Sequence, residues 1–395
     1  MSDSTRKYQP ATTVTHAGRA DKTVQGPVNP GVIRASTQLF PDTRALHAAA
    51  GSRKSYGRYG TETHAALEQV LCELEGMESC LLTPSGLSAV TTTLLGLLQP
   101  GDHLLMPDSV YDPTRNCCEN LLKPLGIVTT YYRPTMGADI ESLILPTTKV
   151  IFVESPGSHT FEVQDIPAIA EVAHERGVLV VSDSTWATPI GWHATELGVD
   201  VSLHAATKYI GGHSDVMLGA ILGSGETFKQ IRRVHTLLGI AVSADEASLA
   251  LRGLRTLTTR MAAHAQAGLV VARWLKNQPE VAEVLYPPLP GSPGHDLWKR
   301  DFNPQFAASL MGVVFKPGVS HEAVEALVDS VRLFGIGYSW GGYESLILAS
   351  RPARTRTVTA ADWSSAMARI HVGLESVDDL MADLEVGFQA LRQHD

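Results

Sequence analysis

The run KVIFVESPGSHTFEVQDIPAIAEVAHERGVLVVSD, residues 149–183, decides the fold. Lys149 to Glu154 is a short apolar run that reads as a buried strand, and Val178 to Asp183 is a second one. Between them Asp165 stands where a helix takes its N-terminal cap. Pro167 falls in the first turn, where a missing N–H costs nothing, and Gly177 sits where the helix must end. Strand, helix and strand in this order form a βαβ unit, which requires parallel pairing and hence an α/β fold with a mostly parallel central sheet. A third strand, Val199 to Ala205, leads directly into Thr207-Lys208. Ligands of open α/β sheets sit beyond the carboxyl ends of strands, so Asp183 and Lys208 lie where chemistry is expected.

Upstream of this unit, Leu67, Val70, Leu71 and Leu74 recur at helical spacing and Gly76 follows at the position that wants positive φ, which predicts a helix over 63–76. The first sixty residues are rich in Pro, Gly, Thr and Arg without sustained periodicity and read as an extended arm, residues 1–60. Residues 61–256 read as a large domain. Beyond about Leu257 the composition shifts, with a Pro/Gly-rich stretch from Tyr286 to Gly294, and residues 257–395 read as a smaller C-terminal α+β domain. It closes on a helix from Ser376, where Ser376 and Asp379 have capping-box spacing and Leu380, Leu384, Phe388 and Leu391 form one stripe.

Composition removes several classes of function. The chain has 395 residues, 44% hydrophobic and 18% charged, with 32 Lys+Arg against 41 Asp+Glu and a net charge of −9. Such a chain buries a sizeable core, and its negative charge repels phosphate backbones and anionic lipid, so neither nucleic acid nor a membrane surface is expected as its main partner. The start MSDSTRKYQPATT lacks the apolar core of a secretory signal, and no window reaches the roughly 18 uninterrupted apolar residues of a membrane span, which predicts a cytoplasmic protein. Cys72, Cys80, Cys117 and Cys118 have neither a disulfide framework nor CxxC spacing, so free thiols and no metal site are expected. The charged fraction falls below the roughly 25% of an average soluble domain, a hint of surface lost to other subunits.

Three familiar motifs fail. Gly335 to Gly341 spaces its third glycine one residue too far for a dinucleotide fingerprint, and His321-Glu322-Ala323-Val324-Glu325 has Glu where a zinc-protease helix needs its second His. His213-Ser214-Asp215 has the side chains of a hydrolase triad, but neighbours in sequence do not stand in relay geometry, and GxSxG is absent. What survives is a lysine, an acid and a turn. Lys208 lies among small residues in His204 to His213, where its amine can form a Schiff base. Asp183 can hold a pyridinium nitrogen protonated. Thr83-Pro84-Ser85-Gly86-Leu87-Ser88 opens an apolar helix whose free N–H groups suit a phosphate. Taken singly, each has a structural reading too: a surface charge, a turn cap and a plain turn.

Five ordered blocks narrow the choice: Tyr56-Gly57-Arg58-Tyr59-Gly60-Thr61, Glu154-Ser155-Pro156-Gly157, Asp183-Ser184-Thr185-Trp186-Ala187, Ala206-Thr207-Lys208-Tyr209 and Gly211 to Asp215. Together they resemble the signature blocks of the Cys/Met-metabolism family of pyridoxal-phosphate (PLP) enzymes, and the likeness runs from Thr15-His16-Ala17-Gly18 to Arg369-Ile370-His371-Val372-Gly373-Leu374-Glu375. The resemblance implies the aspartate-aminotransferase-like fold type I, with PLP held by residues 61–256. It implies that Lys208 carries the cofactor, Asp183 pairs with its ring nitrogen and Tyr111 stacks on its ring. Gly86 and Leu87 then give backbone N–H groups to the phosphate and Thr207 a hydroxyl. Tyr56 and Arg58 reach the cofactor phosphate of the neighbouring subunit, which makes the protein a homo-oligomer, a tetramer built as a dimer of dimers. Arg369 grips the substrate α-carboxylate. Two positions depart from the common pattern, Ala205 where many members have Ser and Ser184 where Asn is frequent.

Within the family, Tyr338-Ser339-Trp340-Gly341-Gly342-Tyr343-Glu344-Ser345-Leu346 and the segment from Pro290 to Phe302 resemble the bacterial cystathionine β-lyases. Tyr338, Ser339 and Trp340 are then expected at the substrate; an aromatic pair also serves as core packing, but the neighbouring glycines and the placement of Ser339 favour the pocket. The implied reaction is β-elimination of L-cystathionine to homocysteine, pyruvate and ammonia, with Lys208, assisted by Tyr111, moving protons. That base needs a lowered pKa, expected from burial and neighbouring cations. Cystathionine γ-lyase, γ-synthase or another cysteine-conjugate lyase is the nearest rival. A non-enzymatic sensor on the same fold would need an output element, and none is visible in the sequence.

Overall fold

In the computed structural model, which describes residues 8–19, 23, 25–53 and 55–394, seven strands build the first sheet. They are β1 (Ser79–Thr83), β2 (His103–Pro107), β3 (Val128–Tyr132), β4 (Thr148–Glu154), β5 (Leu179–Asp183), β6 (Val201–Ala205) and β7 (Gly219–Gly223), in the order β1-β7-β6-β5-β4-β2-β3. Only β7 runs against its neighbours. The run 149–183 folds as expected, with the helix Ile166–Glu175 between β4 and β5 and the Asp165 carboxylate accepting from the Ala168 N–H at 3.3 Å.

β4 is continuously apolar rather than alternating because both its faces are covered. Ile151 and Val153 join one hydrophobic cluster while Val150 and Phe152 join another on the opposite face, and all four are fully buried. Each such side chain contributes about 1.5–3 kcal/mol of burial, which fixes the register strongly. The parallel pairing of β4 with β5 brings Glu154 directly beside Asp183 at the carboxyl edge of the sheet.

A second sheet follows in the C-terminal third: β8 (Val281–Leu285), β9 (Leu310–Phe315), β10 (Gly335–Ile336), β11 (Leu346–Ser350) and β12 (Met367–His371), ordered β10-β11-β12-β9-β8. The closing helix Val377–His394 buries Leu380, Leu384, Phe388 and Leu391, as its stripe predicts. The two sheets are tied by Asp108, which follows β2 and is fully buried. Its Oδ1 accepts from Arg115 Nη2 and from the Thr357 amide and hydroxyl at 3.0 Å. Its Oδ2 accepts from the Val358 amide at 3.0 Å and from the Thr359 amide and hydroxyl, both at 2.7 Å.

The arm needs correcting. Within residues 1–60, positions 1–7, 20–22, 24 and 54 lie outside the described residues, but Pro10–His16 is a helix rather than an extended segment. Its β-branched sequence gives no clear period, and docking supplies what propensity does not. Val14 and Ala17 are buried, and Arg255 Nη1 donates to the carbonyls of Val14 and Ala17 at 2.7 and 2.8 Å, satisfying groups that a helix end leaves unpaired. A second short helix, Thr43–Ala48, has no buried residues.

Candidate active site

The carboxyl ends of β4, β5 and β6 open into a cavity of about 300 Å³, walled on its far side by the turn 338–340 and Arg369 of β12. It gathers Gly86, Leu87, Tyr111, Asp183, Thr207, Lys208, Tyr338, Ser339, Trp340 and Arg369, ten of the twelve residues singled out from the sequence. Lys208 enters through the tight turn after β6, and its Nζ donates to Ser339 Oγ at 3.0 Å and stands 5.2 Å from the centre of the Trp340 ring. Burial, and then the positive charge of Arg369, lowers the Lys208 ammonium from the ordinary range to about 8, against the opposing pull of Asp183. An amine with that value is neutral in about half of molecules at pH 8, so it can act as nucleophile or base.

Asp183 ends β5. The Thr185 amide donates to its Oδ1 at 3.0 Å and the Thr185 hydroxyl donates to the same oxygen. Burial pushes its carboxyl up; the Thr185 hydrogen bonds and the charges of His204 and Lys208 act the other way. Beside it stands Glu154, whose Oε2 accepts from the Tyr111 amide at 2.9 Å. Burial, and then the adjacent Asp183, push the Glu154 carboxyl well above the carboxylate range, against the Tyr111 amide hydrogen bond. Burial also raises the Tyr111 phenol, followed by the charges of Asp183 and Glu154, so it holds its proton at neutral pH.

Across the sheet, Ser85 caps the helix Gly86–Leu97 by accepting from the Ser88 amide at 3.1 Å. Gly86 and Leu87 occupy the first turn, where N–H groups have no partner within the helix. A Cβ on Gly86 would fall 2.6 Å from the Ala205 Cβ, so only glycine lets this helix end meet the strand beside Lys208. Thr207 lines the same corner, its Oγ1 donating to the Leu218 carbonyl at 3.2 Å and accepting from the Leu218 amide at 3.0 Å.

Arg369 Nη2 donates to the carbonyls of Tyr338 and Ser339 at 3.0 and 3.3 Å, and burial lowers its guanidinium to about 10. Tyr338 is 92% exposed, whereas Trp340 is half-buried and packs against the core beside the Tyr209 ring; both line the cavity. Tyr56 and Arg58 lie elsewhere. Tyr56 bridges to Thr37, and Arg58 donates to the Thr236 carbonyl at 3.3 Å and covers the Tyr59 ring, facing a separate cleft of about 440 Å³ with Arg53 and Arg232.

Glu154 and Thr185 were missed as site residues by the sequence reading, yet Glu154 carries the same signal as Asp183, an acid at a strand's carboxyl end. The discarded motifs stay discarded. His213 Nδ1 bonds to the Gly211 carbonyl and Ser214 donates to Glu344, so no relay forms. Among the described residues the cysteines are free, no group of three or more His, Cys, Asp or Glu could hold a metal ion, and no helix is long and apolar enough to cross a membrane.

This geometry has relatives. A family profile described as Cys/Met metabolism PLP-dependent enzyme matches residues 11–389. The chain belongs to that family. It is 44% identical over 382 residues to a putative cystathionine β-lyase of Rhizobium johnstonii, covering 96% of each chain. To the cystathionine β-lyase of Escherichia coli it is 43% identical over 388 residues, covering 95% of this chain and 97% of the relative. A solved cystathionine γ-lyase from Lactobacillus plantarum, complexed with L-serine, superposes with a TM-score of 0.88 at 29% identity over 98% of this chain and 100% of its own. The family's fold type I is the two-sheet architecture described above, and its cofactor is pyridoxal 5'-phosphate.

The residues present fit that cofactor. An aldehyde needs a lysine that can lose its proton, and Lys208 at about 8 is one. A pyridinium needs a carboxylate with acceptor capacity to spare, and Asp183 takes its bonds on one oxygen. A phosphate dianion needs N–H groups without a helical partner that border open space, and the helix end at Gly86 and Leu87, which lines the cavity, provides them.

Proposed function

We propose that the chain is a cystathionine β-lyase, cleaving L-cystathionine to homocysteine, pyruvate and ammonia. The observation that supports this reading is the turn Tyr338-Ser339-Trp340 of the β-lyase-like segment, which borders the cavity and is tied to Lys208 and Arg369 by hydrogen bonds. The two β-lyase relatives support it.

When bound, PLP supplies an electron sink for the charge that develops at the substrate Cα. In this proposal Gly86, Leu87 and Thr207 hold its phosphate, Tyr111 lies on its ring and Asp183 keeps its ring nitrogen protonated. Arg369 takes the substrate α-carboxylate through its guanidinium fork. Lys208 Nζ, neutral in a useful fraction at mild alkalinity, removes the Cα proton. Tyr111 keeps its own proton at that pH and is the better donor to the departing sulfur, assisted by the Lys208 ammonium once formed. The three-carbon remnant takes up water and ends as pyruvate and ammonia.

The same proposal divides the chain into an arm of residues 1–60, a PLP-binding domain of residues 61–256 and a C-terminal domain of residues 257–395, and makes it a cytoplasmic homotetramer, a dimer of dimers. Leu39 at 93% and Leu237 at 74% exposed, with Tyr56 and Arg58 turned away from their own cavity, support a neighbouring subunit there. A Lys208→Ala chain mixed with an Arg58→Ala chain then regains activity as heterodimers, and verified heterodimers without activity refute shared sites. The deciding experiment for the reaction is the product assay on L-cystathionine. Pyruvate with homocysteine is expected; α-ketobutyrate with cysteine would establish γ-elimination instead.

A further inference from the structure

His371 ends β12, two residues beyond Arg369, and is 1% exposed. Its Nε2 faces the turn, 3.1 Å from the Gly341 amide and 3.2 Å from the Gly342 carbonyl; accepting the Gly341 N–H calls for the ring proton on Nδ1, which lies 3.4 Å from Ser309 Oγ. Ser309 Oγ in turn donates to the Val372 carbonyl and lies 3.1 Å from His264 Nδ1, so the hydroxyl sits between the two imidazoles. The ring is walled by Tyr209 and His264, with ring centres 5.8 and 5.5 Å away.

The amide this histidine holds belongs to the residue that presses on Lys208. Gly341 has φ +86, and a Cβ there would fall 2.7 Å from the Tyr209 nitrogen and 3.1 Å from the Lys208 Cβ. The turn is therefore pinned from two sides: Gly341 against the Lys208 backbone and its N–H on His371. Its upstream end carries Ser339, whose Oγ takes the Lys208 Nζ hydrogen bond, and the two carbonyls that hold Arg369.

We propose that His371 is a positioning residue: through the Gly341 amide it sets the Tyr338–Gly341 turn against Lys208 and Arg369 and so fixes the geometry of both. It touches neither substrate nor cofactor. The proposal rests on the β-lyase reading for its kinetic consequence but not for its structural one. The charged and titratable groups facing the ring are Tyr209, His264, Lys208 and Arg369; burial first, then His264, hold the imidazole at about 3, so it stays neutral across the working range.

His371→Phe keeps a ring of similar size and removes the acceptor, whereas His371→Gln returns an acceptor near the position of Nε2. Backbone hydrogen exchange is measured on the chain without cofactor, and kinetics on the reconstituted enzyme with L-cystathionine. The Phe variant should speed exchange over residues 338–342 by about 10- to 100-fold and lower kcat/KM by a similar factor, as expected for a buried donor left unpaired. The Gln variant should recover both to within a few-fold. Native exchange and native kinetics in the Phe variant would overturn the proposal, as would a Gln variant as impaired as Phe. Were the Phe chain not to fold, His371→Asn keeps a polar group at the Nδ1 position but is too short to reach the turn as Nε2 does; faster exchange at 338–342 supports the clamp and native exchange refutes it. A wild-type protein that releases no pyruvate would sink the β-lyase reading alone, since the exchange experiment still judges the clamp.

Discussion

Asp108 and Asp183 stand at the carboxyl edge of the same sheet, one just after β2 and the other ending β5, and they have opposite surroundings. Asp108 accepts six hydrogen bonds spread over both oxygens, whereas Asp183 accepts two, both from Thr185 and both on Oδ1. Burial pushes Asp108 up, but the hydrogen bonds from Thr357 and Thr359 outweigh it and hold the carboxyl at about 2, while Asp183 is raised. A saturated carboxylate has nothing left to offer a ligand and serves as a structural rivet. An under-satisfied one is costly to the folded chain and ready for a partner, which is what a cofactor site requires.

That contrast can be broken most directly at Asp183. Asp183→Asn should lower kcat/KM by about 10²–10³-fold, the scale of a lost preorganised electrostatic contact, with the urea midpoint unchanged or slightly raised. A large loss of stability with near-native activity would reverse the two roles. Asp108→Asn should do the opposite, costing about 3 kcal/mol in urea unfolding at pH 7, because buried donors from two parts of the chain lose their charged acceptor.

The pH dependence sharpens the same distinction. The folded Asp108 value of about 2 lies below the unfolded value of about 3.9, so its contribution of about 2.6 kcal/mol is complete above about pH 5 and is lost as pH falls through about 2. The stability gap between wild type and Asp108→Asn should therefore narrow over that acid range and stay flat above it. In the cavity, Lys208 must be neutral to capture the cofactor aldehyde. The rate of PLP capture, followed by absorbance, should rise with pH through about 8 and then level, whereas a rise continuing to pH 10 would mean an ordinary lysine. The smallest effect belongs to the exposed Arg133–Asp362 pair, which reaches the same C-terminal segment as the Asp108 rivet. Asp362→Asn should shift stability by less than about 0.5 kcal/mol, measured the same way.

Lys208, Asp183 and the Gly86 turn were legible because each follows from local pattern, a strand end or a helix start. Glu154 carries the same pattern and stands in one of the five blocks yet was assigned no role, since one acid at a strand end looks complete until the register sets a second beside it. The Asp108 rivet had no readable sign, as its partners Thr357 and Thr359 lie 249 and 251 residues away. The His371 clamp was hidden for a related reason: a histidine in a strand says nothing about which loop amide it accepts. In the arm, the helix Pro10–His16 depends on Val14 and Arg255 rather than on its own spacing, so it escaped a reading built on periodicity.

The contact between Gly86 and Ala205 has a consequence for how such sequences can vary. Every residue except glycine brings a Cβ to position 205, and even the Ala205 Cα would lie 3.1 Å from a Cβ on Gly86. Position 86 is therefore frozen while position 205 is free to trade methyl for hydroxymethyl, an epistatic pair with one silent and one adjustable member. A combinatorial library varying both should return functional clones with glycine alone at 86 and alanine or serine at 205.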